Sequence, residues 1–88
     1  MWTSKPNGDE NLLIAGGFIN ITIQYVYNDK PGLRVVATGV KSVVFPDIYS
    51  DIADAKRDAE SYAKKVFDQF HTEINHLVAT RLPQKKGK

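Results

Sequence analysis

Between residues 18 and 27 the chain alternates, with Ile19, Ile21, Ile23, Tyr25 and Tyr27 set between Asn20, Thr22 and Gln24. A period of two sends successive side chains to opposite faces of an extended strand. It predicts a strand over about 18–28, its Ile and Tyr face buried and its amide and hydroxyl face wet. Phe18 and Val26 break the pattern on the polar side. A strand with one apolar face needs neighbours beside it and a second layer on top of it. The rest of the chain must supply both.

The neighbours are legible on either side. Asn11 to Ala15 reads as a strand, and Gly16-Gly17 as a two-residue hairpin turn, since glycine takes positive φ without steric cost. After Tyr27, the run Asn28-Asp29-Lys30-Pro31-Gly32 has the Pro-Gly order of a type II turn. Leu33 to Val40 then returns as a strand, with Gly39 marking a bend. Residues 42–45 read as a short last strand stopped by Pro46.

From Ser50 the period changes to three and four. Ile52, Ala55, Ala59, Tyr62, Ala63, Val66, Phe67, Phe70, Ile74, Leu77 and Val78 fall on one side of a helix over about 51–81. Ser50 is the expected N-cap, Asp51 and Asp54 suit the positive end of the helix dipole, and Glu60 with Lys64 forms an i,i+4 pair. Pro83 ends the helix near Thr80 or Arg81. The expected fold is therefore α+β: an antiparallel sheet of three to four strands (about 11–15, 18–28, 33–40 and 42–45) under one long C-terminal helix. Residues 11–82 make the single domain. Residues 1–10 read as a flexible N-terminal arm carrying a lone Trp2, and 83–88 as a basic flexible tail.

Eighty-eight residues, 42% hydrophobic and 25% charged, suit one globular domain. No apolar run approaches the ~18–20 residues of a membrane span, and no leader pattern opens the chain. A cytoplasmic location is expected. The absence of cysteine removes disulfides, thiolate metal sites and a thiol nucleophile together. His71 and His76 are five apart, so on a helix they diverge by roughly 140° and cannot chelate one metal. No catalytic residue, metal site or cofactor is expected, and the chain reads as non-enzymatic.

Two resemblances bear on partners. The order strand, strand, strand, helix, with Ala55-Lys56-Arg57 and Ala59 near the helix start, resembles the second half of a double-stranded RNA-binding domain, which implies phosphate contacts at the helix N-terminus. Asp47, Asp51 and Asp54 stand there instead, and the family's first helix is missing. Val43-Val44-Phe45-Pro46-Asp47 before an Ala-spaced helix is similar to the sheet-to-helix passage of antitoxins of the HicB type, over about a third of the chain and without their Gly-rich loop. Size and architecture are those of phage-encoded inhibitors of host defence.

The function expected is a small binding module acting through protein–protein contact, with the open sheet face at Asn20, Thr22, Gln24, Arg34 and Thr38 as its working surface. The alternative is nucleic-acid binding through Arg34, Lys41 and the tail residues Lys85, Lys86 and Lys88. A helix of roughly 45 Å outruns a strand of about 33 Å, which leaves Phe70, Ile74, Leu77 and Val78 past the sheet. Either the arm with Trp2 folds over them or a second copy does, and a homodimer is the expectation.

Overall fold

A computed structural model describes residues 1–81 except residue 28. Five strands, β1 (Trp2–Ser4), β2 (Glu10–Ile14), β3 (Ile19–Val26), β4 (Gly32–Gly39) and β5 (Val43–Val44), precede a single helix, α1 (Ile52–Arg81). The strands lie side by side in chain order, every neighbouring pair antiparallel. The α+β architecture is the expected one, with five strands in place of three to four.

Alternation in β3 does what a period of two requires. Ile21 stands opposite Leu12 on one side and Ala37 on the other, and Ile23 opposite Val35. All of these are buried, together with Ile19. Ala55, Ala59, Ala63 and Val66 of α1 close the other side of this core. Alanine lets the helix axis approach the sheet closely, so the small side chains are the buried ones. Ridge-to-groove packing then brings α1 against β3 and β4.

Two glycines are required by close approaches. A Cβ on Gly39, at φ +105°, would sit 2.4 Å from the Phe18 carbonyl oxygen, which itself accepts from the Val40 N–H at 2.9 Å. A Cβ on Gly32 would lie 2.5 Å from the Ile48 side chain. Beside it, Leu33 and Tyr49 exchange a pair of backbone hydrogen bonds at 2.7 and 2.8 Å. That pairing ties the segment leading into α1 to the edge of β4.

Several expectations are corrected. The supposed arm is a hairpin: Trp2 to Ser4 pair with Glu10 to Leu12, and Asn7 and Gly8 form the turn between, with the Asn7 side chain accepting from the Asp9 N–H at 3.0 Å. Trp2 faces the helix, where its indole N–H donates to Glu60 at 2.7 Å and the Lys56 ammonium lies 5.5 Å from its ring centre. Glu60 is thereby turned away from Lys64, which pairs with Asp68 at 2.7 Å instead. Asp51 rather than Ser50 caps α1, its carboxylate accepting from the Ala53 N–H at 2.9 Å. The β2–β3 connection is wider than a two-residue turn, because Ile14 pairs with Ile19 and Ala15 joins Gly16 and Gly17 at positive φ. Tyr25 and Tyr27 are exposed rather than buried. Tyr25 pairs with Leu33 at the end of the sheet, and α1 begins only at Ile52, after the segment tied to β4.

Candidate interaction surfaces

The side of the sheet away from α1 carries the other half of the alternation. Register places Asn20 opposite Thr38, Thr22 opposite Val36 and Gln24 opposite Arg34. The five residues expected as a working surface thus share one uncovered face. Asn11 belongs to this face as well, opposite Thr22. Its amide N–H group donates to Asn20 Oδ1 at 2.8 Å, Thr22 Oγ1 at 3.2 Å and the Ile21 carbonyl at 3.0 Å. Thr38 donates to the Asn20 carbonyl at 3.4 Å. The face carries amides and hydroxyls bonded to one another across β2 and β3, with Val36 among them and Leu13 and Val44 exposed at its margins.

Arg34 is the charged member of that face. Its Nε is buried and has no hydrogen-bond partner among the described residues. Leaving a buried donor unmade costs about 1–3 kcal/mol, and this atom lies too deep for a docking partner to reach it. Lys41, the other candidate phosphate contact among the described residues, lies away from Arg34. It lines a groove with Val40, Val66, Gln69, Phe70 and Glu73, on the helix side of the molecule. The structure therefore separates the two cations. Lys85, Lys86 and Lys88 lie outside the described residues.

The second surface is the far end of α1. Phe18 reaches Phe70, ring centres 5.0 Å apart and nearly edge-on, and this contact marks the end of the sheet. Residues 71–81 continue for roughly three more turns. Phe70, Ile74, Leu77 and Val78, the expected dimer residues, keep 40–51% of their surface exposed. Phe67 joins them at 52%, stacked on His71 at 5.8 Å and 11°. Phe70, Ile74 and Leu77 line an open groove with Glu73, His76 and Thr80 along its margins.

Two groups beside the first half of the helix titrate away from their ordinary values. Burial, and then the hydrogen bond that Tyr49 donates to Asp58 at 2.8 Å, push the Tyr49 phenol up from 10.0 to about 12. Hydrogen bonds from the Ser4 hydroxyl and then from Lys56 hold the Glu10 carboxyl below its usual value. The Lys56–Glu10 pair, at 3.1 Å, joins β2 to α1. Both perturbed groups serve the attachment of α1 to what lies beside it. Among the described residues no cluster of three or more His, Asp or Glu is placed to hold a metal ion, and no helix is long and apolar enough to cross a membrane.

No family model, curated protein or solved structure matches this chain. Function is therefore argued from the two surfaces themselves.

Asn11 was missed in the sequence, and Phe67 was read into the apolar stripe of the helix but not into the interface. Asn11 opens a strand read only for its Leu and Ile residues, and its role depends on register. Phe67 carried a signal, since it lies seven residues before Ile74 and ten before Leu77.

Proposed function

We propose that the protein is a non-enzymatic binding module that works through protein–protein contact, with the outer sheet face as its working surface. The observation that carries this reading is the co-facial set Asn20, Thr22, Gln24, Arg34 and Thr38, left uncovered by the helix, in which Asn11 fixes the Asn20 and Thr22 side chains. A pre-ordered lattice of donors and acceptors loses little side-chain freedom on binding, which lowers the entropic cost of association. The Arg34 side chain places a cation on this face opposite Gln24, which suits a carboxylate of the partner. Self-association through Phe70, Ile74, Leu77 and Val78 belongs to the same reading.

The test is a pull-down with the wild-type chain beside Thr22→Glu and Arg34→Glu, both verified as folded by circular dichroism. A stoichiometric protein partner retained by the wild type and lost by the two variants is the expected result. No stoichiometric protein, or one held equally by the variants, ends the reading. Recovery of nucleic acid, with affinity falling steeply as salt rises, would move the function to phosphate recognition.

A further inference from the structure

The stripe at the end of α1 continues the face that the sheet covers further back. Ala55, Ala59, Ala63 and Val66 are buried against the strands, and Phe70, Ile74 and Leu77 follow at the same spacing with no strand opposite them. The N-terminal segment does not cover the stripe. Trp2 is fastened at Lys56 and Glu60, on the other half of the helix.

Resting on the reading of this stripe as a self-association surface, we infer that it takes the same stripe of a second copy, antiparallel, about a two-fold axis near residues 75 and 76. The second helix then occupies the layer in which the first copy's sheet has run out. By symmetry the first helix fills the same position beneath the second copy's sheet. Each of the two layers is a sheet from one copy followed by a helix from the other. A parallel pair would instead bring both sheets, with the bulk of Phe18 and Val40 beside Phe70, to the same level.

Spacing and charge fit this register. Phe67, Phe70, Ile74 and Leu77 step by three, four and three, the repeat that keeps a seam facing a partner helix. Ile74 meets Leu77 of the second copy across the axis, twice. On one margin Glu73 stands opposite Thr80 of the second copy, an acceptor facing a hydroxyl donor. On the other, Val78 meets His71 of the second copy, whose ring is already stacked on Phe67. The charged residues Lys64 and Asp68 are paired with each other outside the stripe. The exposed side chains of the stripe amount to roughly 400 Å² of apolar surface per copy, at the size that marks interaction sites. Doubled, this is about 800 Å², below the ~1,200 Å² of standard stable interfaces and at the size of weak, concentration-dependent ones.

The chain has no cysteine, so a single spin label can be placed at will. Light scattering of the wild type at about 100 µM, a concentration that populates a weak pair of this size, should give twice the 9.9 kDa of one chain. Ile74→Asp with Leu77→Asp should return it to one chain with unchanged circular dichroism, both positions being exposed, while Thr72→Asp on the opposite side stays dimeric. A label at Ser61→Cys should then show an inter-copy distance of roughly 45 Å, from ~1.5 Å per residue. A wild type that runs as one chain overturns the self-association reading itself, and so does a dimer indifferent to Ile74→Asp and Leu77→Asp. A dimer lost with that pair but with a Ser61 distance under about 20 Å, as in-register parallel helices 8–10 Å apart would give, keeps the surface and overturns the antiparallel register.

Discussion

Along α1, Ala55, Ala59 and Ala63 are almost wholly buried, whereas Phe67, Phe70, Ile74 and Leu77, spaced in the same way, keep between 40% and 52% of their surface in solvent. Apolar size and burial run in opposite directions along one helix. The first half is small because a sheet lies against it, and bulk there would force the layers apart. The second half is large, and beyond the Phe18–Phe70 contact its groove is lined by helix residues alone. The lesson is physical: helical periodicity identifies which side is apolar, and what lies opposite decides how much of it is buried.

Perturbing the two halves should separate them. Ile21→Ala, beneath the covered half, should cost about 2–5 kcal/mol, read as a lower midpoint in urea at unchanged slope. Ala59→Leu attacks the same contact from the helix side. Overpacking should cost about 1–3 kcal/mol, and a neutral result would mean that the sheet yields where the geometry leaves no room. Trp2→Ala removes the strap on the covered half and should lower stability by about 1–2 kcal/mol. Hydrogen exchange should then rise first in β1 and in the facing residues of β2.

The Tyr49–Asp58 link sharpens the comparison through pH. Its phenol is raised from 10.0 to about 12, so the folded state holds that proton more tightly than the unfolded chain does. The stabilisation is complete below about pH 10 and is lost as pH rises through about 12. A near-ultraviolet absorbance titration should show this late ionisation, and Tyr49→Phe should abolish it. The smallest effect belongs to the far half. In dilute solution, where copies are apart, Leu77→Ala should change stability by less than about 0.5 kcal/mol. A loss comparable to that of Ile21→Ala would show that Leu77 is covered within one chain.

Much of this molecule was readable from residue order. The strand at Ile19 to Ile23 and the helix from Ile52 follow from periods of two and three to four, and both stand where expected within two residues. The Asn7-Gly8 pair was misread because it lacks a long alternating run before it. Trp2 to Ser4 is a strand only because β2 offers its edge, a fact of register. Tyr25 and Tyr27 share the parity of the buried isoleucines, yet parity does not say where the covering helix begins. Arg34 was chosen correctly as a member of the outer face. Its unpaired Nε, however, depends on how side chains settle around it. Lys41 stands apart from Arg34 because the chain turns toward the helix after Gly39, which strand alternation alone does not reveal.

The identity of chain order and strand order across the sheet also bears on how the molecule assembles in time. Every strand pairs with the one just made, and the turns between them are short, so most pairings close small loops. Such low contact order favours fast folding. Docking of α1 must come after several hairpins exist, since it rests on β3 and β4 together. The Trp2–Glu60 bond joins residues 58 apart in the chain, and its larger loop-closure entropy places it among the last contacts to form. The strap should therefore govern unfolding more than folding: losing Trp2 would speed the opening of the native state and leave the refolding rate nearly unchanged.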